Sequence, residues 1–188
     1  MRKLLARAFL RATGWRAEGV PPRTPRYVLI AAPHTSNWDL AYLLALAEVL
    51  GVRISFMMKH TVFRGPFGPL FRSLGGIAIR RDRRENLVKQ MVEAFASRDS
   101  LALTVPAEAT RGRVDVWKSG FYHIARQAGV PIVLGYLDYA RRRGGFGPAF
   151  MPTGRVRDDM DVVRGFYADK VAKYPAQFGA IRLREEED

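Results

Sequence analysis

Three histidines are present, and one of them sits in a setting that can do chemistry. Residues 33–39 read PHTSNWD, placing His34 and Asp39 on either side of a turn between a strand-like and a helix-like segment. Such a turn lets the two side chains converge, so that Asp39 accepts the proton of one imidazole nitrogen while the other acts as a general base. This is the base-and-orienter half of a catalytic triad without an enzyme nucleophile. A substrate hydroxyl can fill the missing place and attack a carbonyl directly. Amides at the start of the following helix are candidates for holding the developing oxyanion. Taken alone the pair is a weak signal, and a turn histidine capping a helix explains it as well. His60, after a strand, and His123, beside Phe121 and Tyr122 in a helical stretch, read as structural. No His/Asp/Glu spacing resembles a metal site.

The elements that must position this pair follow from periodicity. YVLIAA, Tyr27 to Ala32, reads as a buried strand that Pro33 ends, and WDLAYLLALAEVL runs as a helix to about Leu50, with Gly51 as its cap. Further strands are expected at Arg53 to Met58, Ile77 to Ile79, Ser100 to Val105 and Pro131 to Leu137, with an edge strand at Phe146 to Met151. Helices are expected from Arg84 to Ser97, Val116 to Ala128 and Asp161 to Lys173. FRGPFGPLFRSLGG reads as a Gly/Pro-rich loop. The alternation implies one α/β domain, a mixed sheet flanked by helices. Residues 1–20 are expected to form a basic amphipathic N-terminal helix, residues 21–180 the main domain, and residues 181–188 a charged tail, with REEED at 184–188 read as disordered.

Composition narrows the classes. The chain has 188 residues, 48% of them hydrophobic, enough for one real core. A net charge of +13 calls for an anionic partner. Nucleic acid is disfavoured, because no helix-turn-helix, zinc finger or RNP-type aromatic motif is present and the basic residues are scattered, apart from 80–84 (RRDRR) and 141–143 (RRR). The absence of cysteine removes thiol nucleophiles, disulfides and Cys-based zinc sites. A serine hydrolase lacks its G-x-S-x-G elbow. No apolar run approaches the roughly 18 residues a spanning helix needs, and the N-terminus is too interrupted by arginine for a secretory signal. In that N-terminus Lys3, Arg7 and Arg11 recur beside Leu4, Leu5, Ala8, Phe9 and Ala12. Such a helix suits an anionic membrane surface, or equally a helix packed on the domain with a solvated basic face. The expected location is cytoplasmic, peripheral to the inner face of the cell membrane.

His34 to Asp39 (HTSNWD) resembles the signature block of the glycerolipid acyltransferase family, which includes the 1-acylglycerol-3-phosphate acyltransferases. Gly75 to Arg81 (GGIAIRR) resembles the second block, Val105 to Arg111 (VPAEATR) the third, and Val130 to Val133 (VPIV) the start of the fourth, in order and over most of the chain. The resemblance implies a glycerol-3-phosphate acyltransferase-like fold and an O-acyltransferase of phospholipid biosynthesis. His34 would be the base on the acceptor hydroxyl and Asp39 its partner. Arg81, Glu108, Thr110 and Arg111 would bind a phosphorylated acceptor or shape the site. A guanidinium fork suits phosphate oxygens, although Glu108 can instead pair with Arg111, and arginines such as Arg80 and Arg83 fit surface ion pairs. Lys118 is a further candidate for an anionic substrate. The acyl donor would be acyl-CoA or acyl carrier protein, with no cofactor, no metal and no covalent acyl-enzyme. Phe63, Phe67 and Leu70 are candidates for an acyl-chain groove, with Met57, Met58 and Phe71 nearby; core packing explains Met57 and Phe71 better.

The third block departs from the usual Pro-Glu-Gly-Thr-Arg, carrying Ala107 and Ala109 for the proline and glycine. Losing the glycine denies the loop easy access to positive φ. In the fourth block Leu134 replaces a second proline. His34 and Asp39 are untouched, so acyl transfer is expected, with 1-acylglycerol-3-phosphate as the default acceptor. The alternatives are an acceptor outside the glycerolipids, or a lipid-binding relative with altered or lost catalysis.

Overall fold

A computed structural model describes residues 1–79 and 85–187. Seven strands form one mixed sheet: β1 (Arg16–Glu18), β2 (Arg26–Ala32), β3 (Ile54–Lys59), β4 (Gly76–Ile79), β5 (Leu101–Val105), β6 (Ile132–Asp138) and β7 (Arg143–Phe150), in the order β1-β7-β6-β2-β5-β3-β4. The helices are α1 (Arg2–Ala12), α2 (Trp38–Leu50), α3 (Gly68–Ser73), α4 (Glu85–Ala96), α5 (Gly120–Ala128) and α6 (Val156–Tyr167). Strands β6, β2, β5, β3 and β4 run parallel, and β7 turns back antiparallel on β6.

The central strand β2 pairs with β5 on one side and β6 on the other, which is why it reads as a continuous apolar run. Its side chains alternate between faces. Val28, Ile30 and Ala32 join Leu103, Val105, Ile132 and Leu134 in a core closed by Phe95 of α4, Phe121 and Ile124 of α5, and Met160 and Tyr167 of α6. Tyr27 and Leu29 point the other way, against Leu43 and Ala47 of α2. Helix α1 then docks on α2 through Ala6 and Leu10, while Leu4 and Leu5 stay exposed at 68% and 66%. Most of the apolar stripe read from sequence therefore faces outward, and the buried side is a narrower one.

Several expectations shift. Residues read as a loop hold a 3-10 turn (His60–Arg64) and α3, in which Pro69 sits in the first turn, where its fixed φ costs nothing. The helix expected from Val116 begins only at Gly120. The preceding backbone is held elsewhere: Trp117 N–H donates to Arg182 O at 2.8 Å and Lys118 N–H to Ala107 O at 2.9 Å. Strand β7 is interior rather than an edge, because β1 pairs alongside it. Helix α6 begins five residues before Asp161 and stops at Tyr167. Residues 181–187 are docked rather than loose. Leu183 is buried, Glu186 accepts from Arg164 at 2.6 Å, and Glu185 faces His123 at 3.3 Å.

Candidate active site

The parallel strands β6, β2 and β5 are neighbours, so the segments leaving their carboxyl ends meet above the sheet, the usual place for a site in α/β folds. From β2 comes the turn carrying His34, from β5 the loop carrying Glu108, and from β6 the residue Tyr139. Helix α2 supplies Asp39 from its first turn, with Gly51 at φ 76 closing its far end as expected.

His34 Nδ1 lies 3.2 Å from Asp39 Oδ2. That oxygen also accepts the backbone N–H groups of Thr35 at 2.9 Å and Ser36 at 2.8 Å. The other oxygen, Oδ1, accepts the phenol hydroxyl of Tyr139 at 2.5 Å. Asp39 is almost fully buried. Burial alone would push its pKa up, but the hydrogen bonds from His34, Tyr139 and the Ser36 amide outweigh it and hold the carboxyl below its usual range. Burial, reinforced by the bond to Asp39, raises the Tyr139 phenol far above its ordinary value, so it remains a donor. The carboxylate thus fixes the imidazole by Nδ1 and leaves Nε2 for a substrate, the geometry a general base requires. The turn amides considered for an oxyanion are largely engaged: Thr35 and Ser36 bind Asp39, and Trp38 N–H donates to Ser36 Oγ at 3.2 Å.

Glu108 does not pair with Arg111. Its Oε1 accepts the backbone N–H of His34 at 2.9 Å, tying the third-block loop to the turn, and Oε2 is buried without a partner among the described residues. Desolvation raises its pKa, against the lowering effect of that hydrogen bond. The loop keeps the left-handed conformation despite its missing glycine, with Ala109 at φ 57. Thr110 and Arg111 are exposed beyond it, and Thr110 Oγ1 accepts from Gly112 N–H at 3.3 Å. Arg81 lies outside the described residues. Phe63 is packed inside, its ring under the Arg72 guanidinium at 5.4 Å, whereas Phe67 and Leu70 on α3 are 65% and 52% exposed. Met57 packs against the main core, and Met58 and Phe71 are half-buried. Among the described residues no group of His, Asp or Glu side chains is placed to hold a metal ion.

The family model named Acyltransferase matches residues 17–134, well over half of the chain and including His34, Asp39, Glu108 and Arg111. The chain belongs to the Acyltransferase family. The crystal structure of the 1-acyl-sn-glycerophosphate (LPA) acyltransferase PlsC from Thermotoga maritima shares the fold of this acyltransferase, with a TM-score of 0.64 and 17% identity, covering 92% of this chain and 80% of that one. No curated protein matches the sequence.

Tyr139 escaped the sequence reading, as did the segment after α6. Tyr174 N–H donates to Thr35 Oγ1 at 3.2 Å. With its amide nitrogen turned inward, Gln177 donates to Thr35 O at 3.1 Å and Arg111 O at 2.8 Å. The one signal available for Tyr139 was its place directly after a parallel strand next to β2.

Proposed function

We propose that this acyltransferase moves a fatty acyl chain from acyl-CoA or acyl carrier protein to a hydroxyl of a lysophospholipid-like acceptor, 1-acylglycerol-3-phosphate by default, as a step of phospholipid biosynthesis. The observation that carries the reading is the His34 ring held to a buried Asp39 that accepts from four donors. The hydroxyls that follow His34 in the chain face other groups, Thr35 accepting from the Tyr174 amide and Ser36 from the Trp38 amide.

In this mechanism Nε2 of His34 takes the proton of the acceptor hydroxyl as its oxygen attacks the thioester carbonyl. The tetrahedral intermediate then expels the thiolate, which recovers that proton from the imidazolium. An ester and a free thiol are the products. Asp39 keeps the ring in the required tautomer and stabilises its charged form. Arg111, exposed at the rim, suits the phosphate of the acceptor, and Phe67 and Leu70 the acyl chain. The exposed Leu4 and Leu5 of α1, flanked by Arg7 and Arg11, suit an anionic membrane surface on the cytoplasmic side. Among the described residues no helix is long and apolar enough to cross a membrane.

The test is thiol release from acyl-CoA with lysophosphatidate and other lysolipids, with His34→Ala run beside the wild type. Acceptor-dependent release is expected, and the substitution should cost about 100- to 10,000-fold in kcat. Release without acceptor would overturn the reading in favour of a thioesterase. Silence from folded protein across all pairs would favour the lipid-binding alternative.

A further inference from the structure

Beyond residue 134, where the family match ends, the chain returns over the site as a strap. Val171 O accepts the Tyr139 N–H at 2.9 Å, Ala172 is buried, and Tyr174 and Gln177 bind the turn that carries His34. The strap also presses on the third-block loop, since a Cβ at Gly179 would lie 1.8 Å from Val114 O.

Between those anchors sits Lys173. Its ammonium lies 5.5 Å from the ring centroid of Trp38, 5.8 Å from Tyr139 and 6.0 Å from Tyr174. Trp38 precedes Asp39 in the chain, and Tyr139 is hydrogen-bonded to it. Lys170, three residues earlier in the chain, pairs with Asp169, and Arg141 pairs with Asp138. Lys173 forms no ion pair with a carboxylate among the described residues. Ring faces attract an ammonium without accepting its N–H bonds in the manner of a carboxylate. The charge is therefore held against the rings of Trp38 and Tyr139, the neighbours of Asp39 in chain and in hydrogen bonding, with donors left over, and an anion can bind without first breaking a salt bridge.

We propose that Lys173 is a substrate-binding residue that receives a phosphate of the acyl-transfer substrates, held by the aromatic trio of Trp38, Tyr139 and Tyr174. The proposal rests on the acyltransferase reading above. The phosphate is carried either by the acceptor or by the donor, and the chemistry at the ammonium is the same.

Lys173→Met and Lys173→Arg separate the cases. Lysophosphatidate is compared with monoacylglycerol as acceptor, and acyl-CoA with an acyl N-acetylcysteamine thioester as donor. Lys173→Met is expected to raise KM about tenfold for the phosphate-bearing member of one comparison, with kcat less affected. Lys173→Arg should recover part of the loss. A change only in the acceptor comparison assigns the phosphate to the acceptor, and only in the donor comparison to coenzyme A. Unchanged KM values, or an equal loss with every substrate, would overturn the proposal while leaving acyl transfer standing.

A second measurement needs no turnover. Trp38 is 53% exposed while Trp15 and Trp117 are buried, so tryptophan fluorescence reports on this corner. Titration with glycerol 3-phosphate or coenzyme A should give a saturable change that weakens about tenfold in Lys173→Met. Equal affinity in the variant would sink the assignment even if no acyl transfer were ever detected.

Discussion

Ala109 is where the third block most directly tests physical reasoning. It follows Glu108 and sits at φ 57, in the left-handed region that favours glycine. An L-residue there costs about 1–2 kcal/mol. Glycine at 109 would escape that cost but would add about 0.4–1 kcal/mol through the freer unfolded chain. The side chain of Ala109 is exposed, so little burial is lost. Ala109→Gly is therefore expected to stabilise the protein by roughly 0.5–1 kcal/mol. For a domain of this size that raises Tm by about 1–4 °C. Ala109→Val should do the reverse, because a β-branched residue tolerates positive φ least. Urea unfolding followed by fluorescence reads both as a change in midpoint at constant slope. A lower midpoint for Ala109→Gly would refute the argument that this loop stores strain.

Removing the hydroxyl in Tyr139→Phe leaves Asp39 with one donor fewer and a stronger pull on the proton shared with His34. The acid limb of the pH dependence of kcat/KM should then move to higher pH, by up to about one unit if roughly half of a 1.5–3 kcal/mol charged hydrogen bond is redistributed. An unshifted profile, lowered equally at every pH, would reduce Tyr139 to a packing role. The stability that Asp39 contributes through its depressed pKa is present above about pH 4 and is lost as the pH falls through the folded value; Tyr139→Phe should weaken it. At the opposite end of the chain, replacing the exposed Leu4 and Leu5 by glutamate should reduce flotation with anionic vesicles at least about tenfold at unchanged Tm. Undiminished flotation would remove α1 from the membrane-facing surface.

Much of this arrangement was readable because its parts are local. The run from Tyr27 to Ala32 announces a two-sided buried strand, and His34 and Asp39 lie on one turn whose closure needs only neighbouring backbone. From sequence Glu108 reads either as binding the acceptor or shaping the site or as pairing with Arg111 three residues on; the pairing of β2 with β5 instead delivers it to the His34 backbone. Gly and Pro density hid α3, because breaker residues in a first helical turn look the same as breakers in a loop. Tyr139 carries only the mark of following a strand, and Lys173 and Gln177 carry none. Their place depends on strand order and on a returning strap, which no periodicity encodes.

The pairing of β2 also sets a timetable. This strand leaves the ribosome well before its neighbours: Arg26 waits for Leu101, and Val28 for Ile132. At about 5–20 residues per second, the roughly 75 residues to its first partner take about 4–15 s of synthesis, and the second partner longer still. During that interval one of the most apolar segments of the chain has both edges open and no sheet to join. A nascent chain built in this order has reason to be sheltered by a chaperone, and variants that slow β5 or β6 should aggregate before they ever lose equilibrium stability.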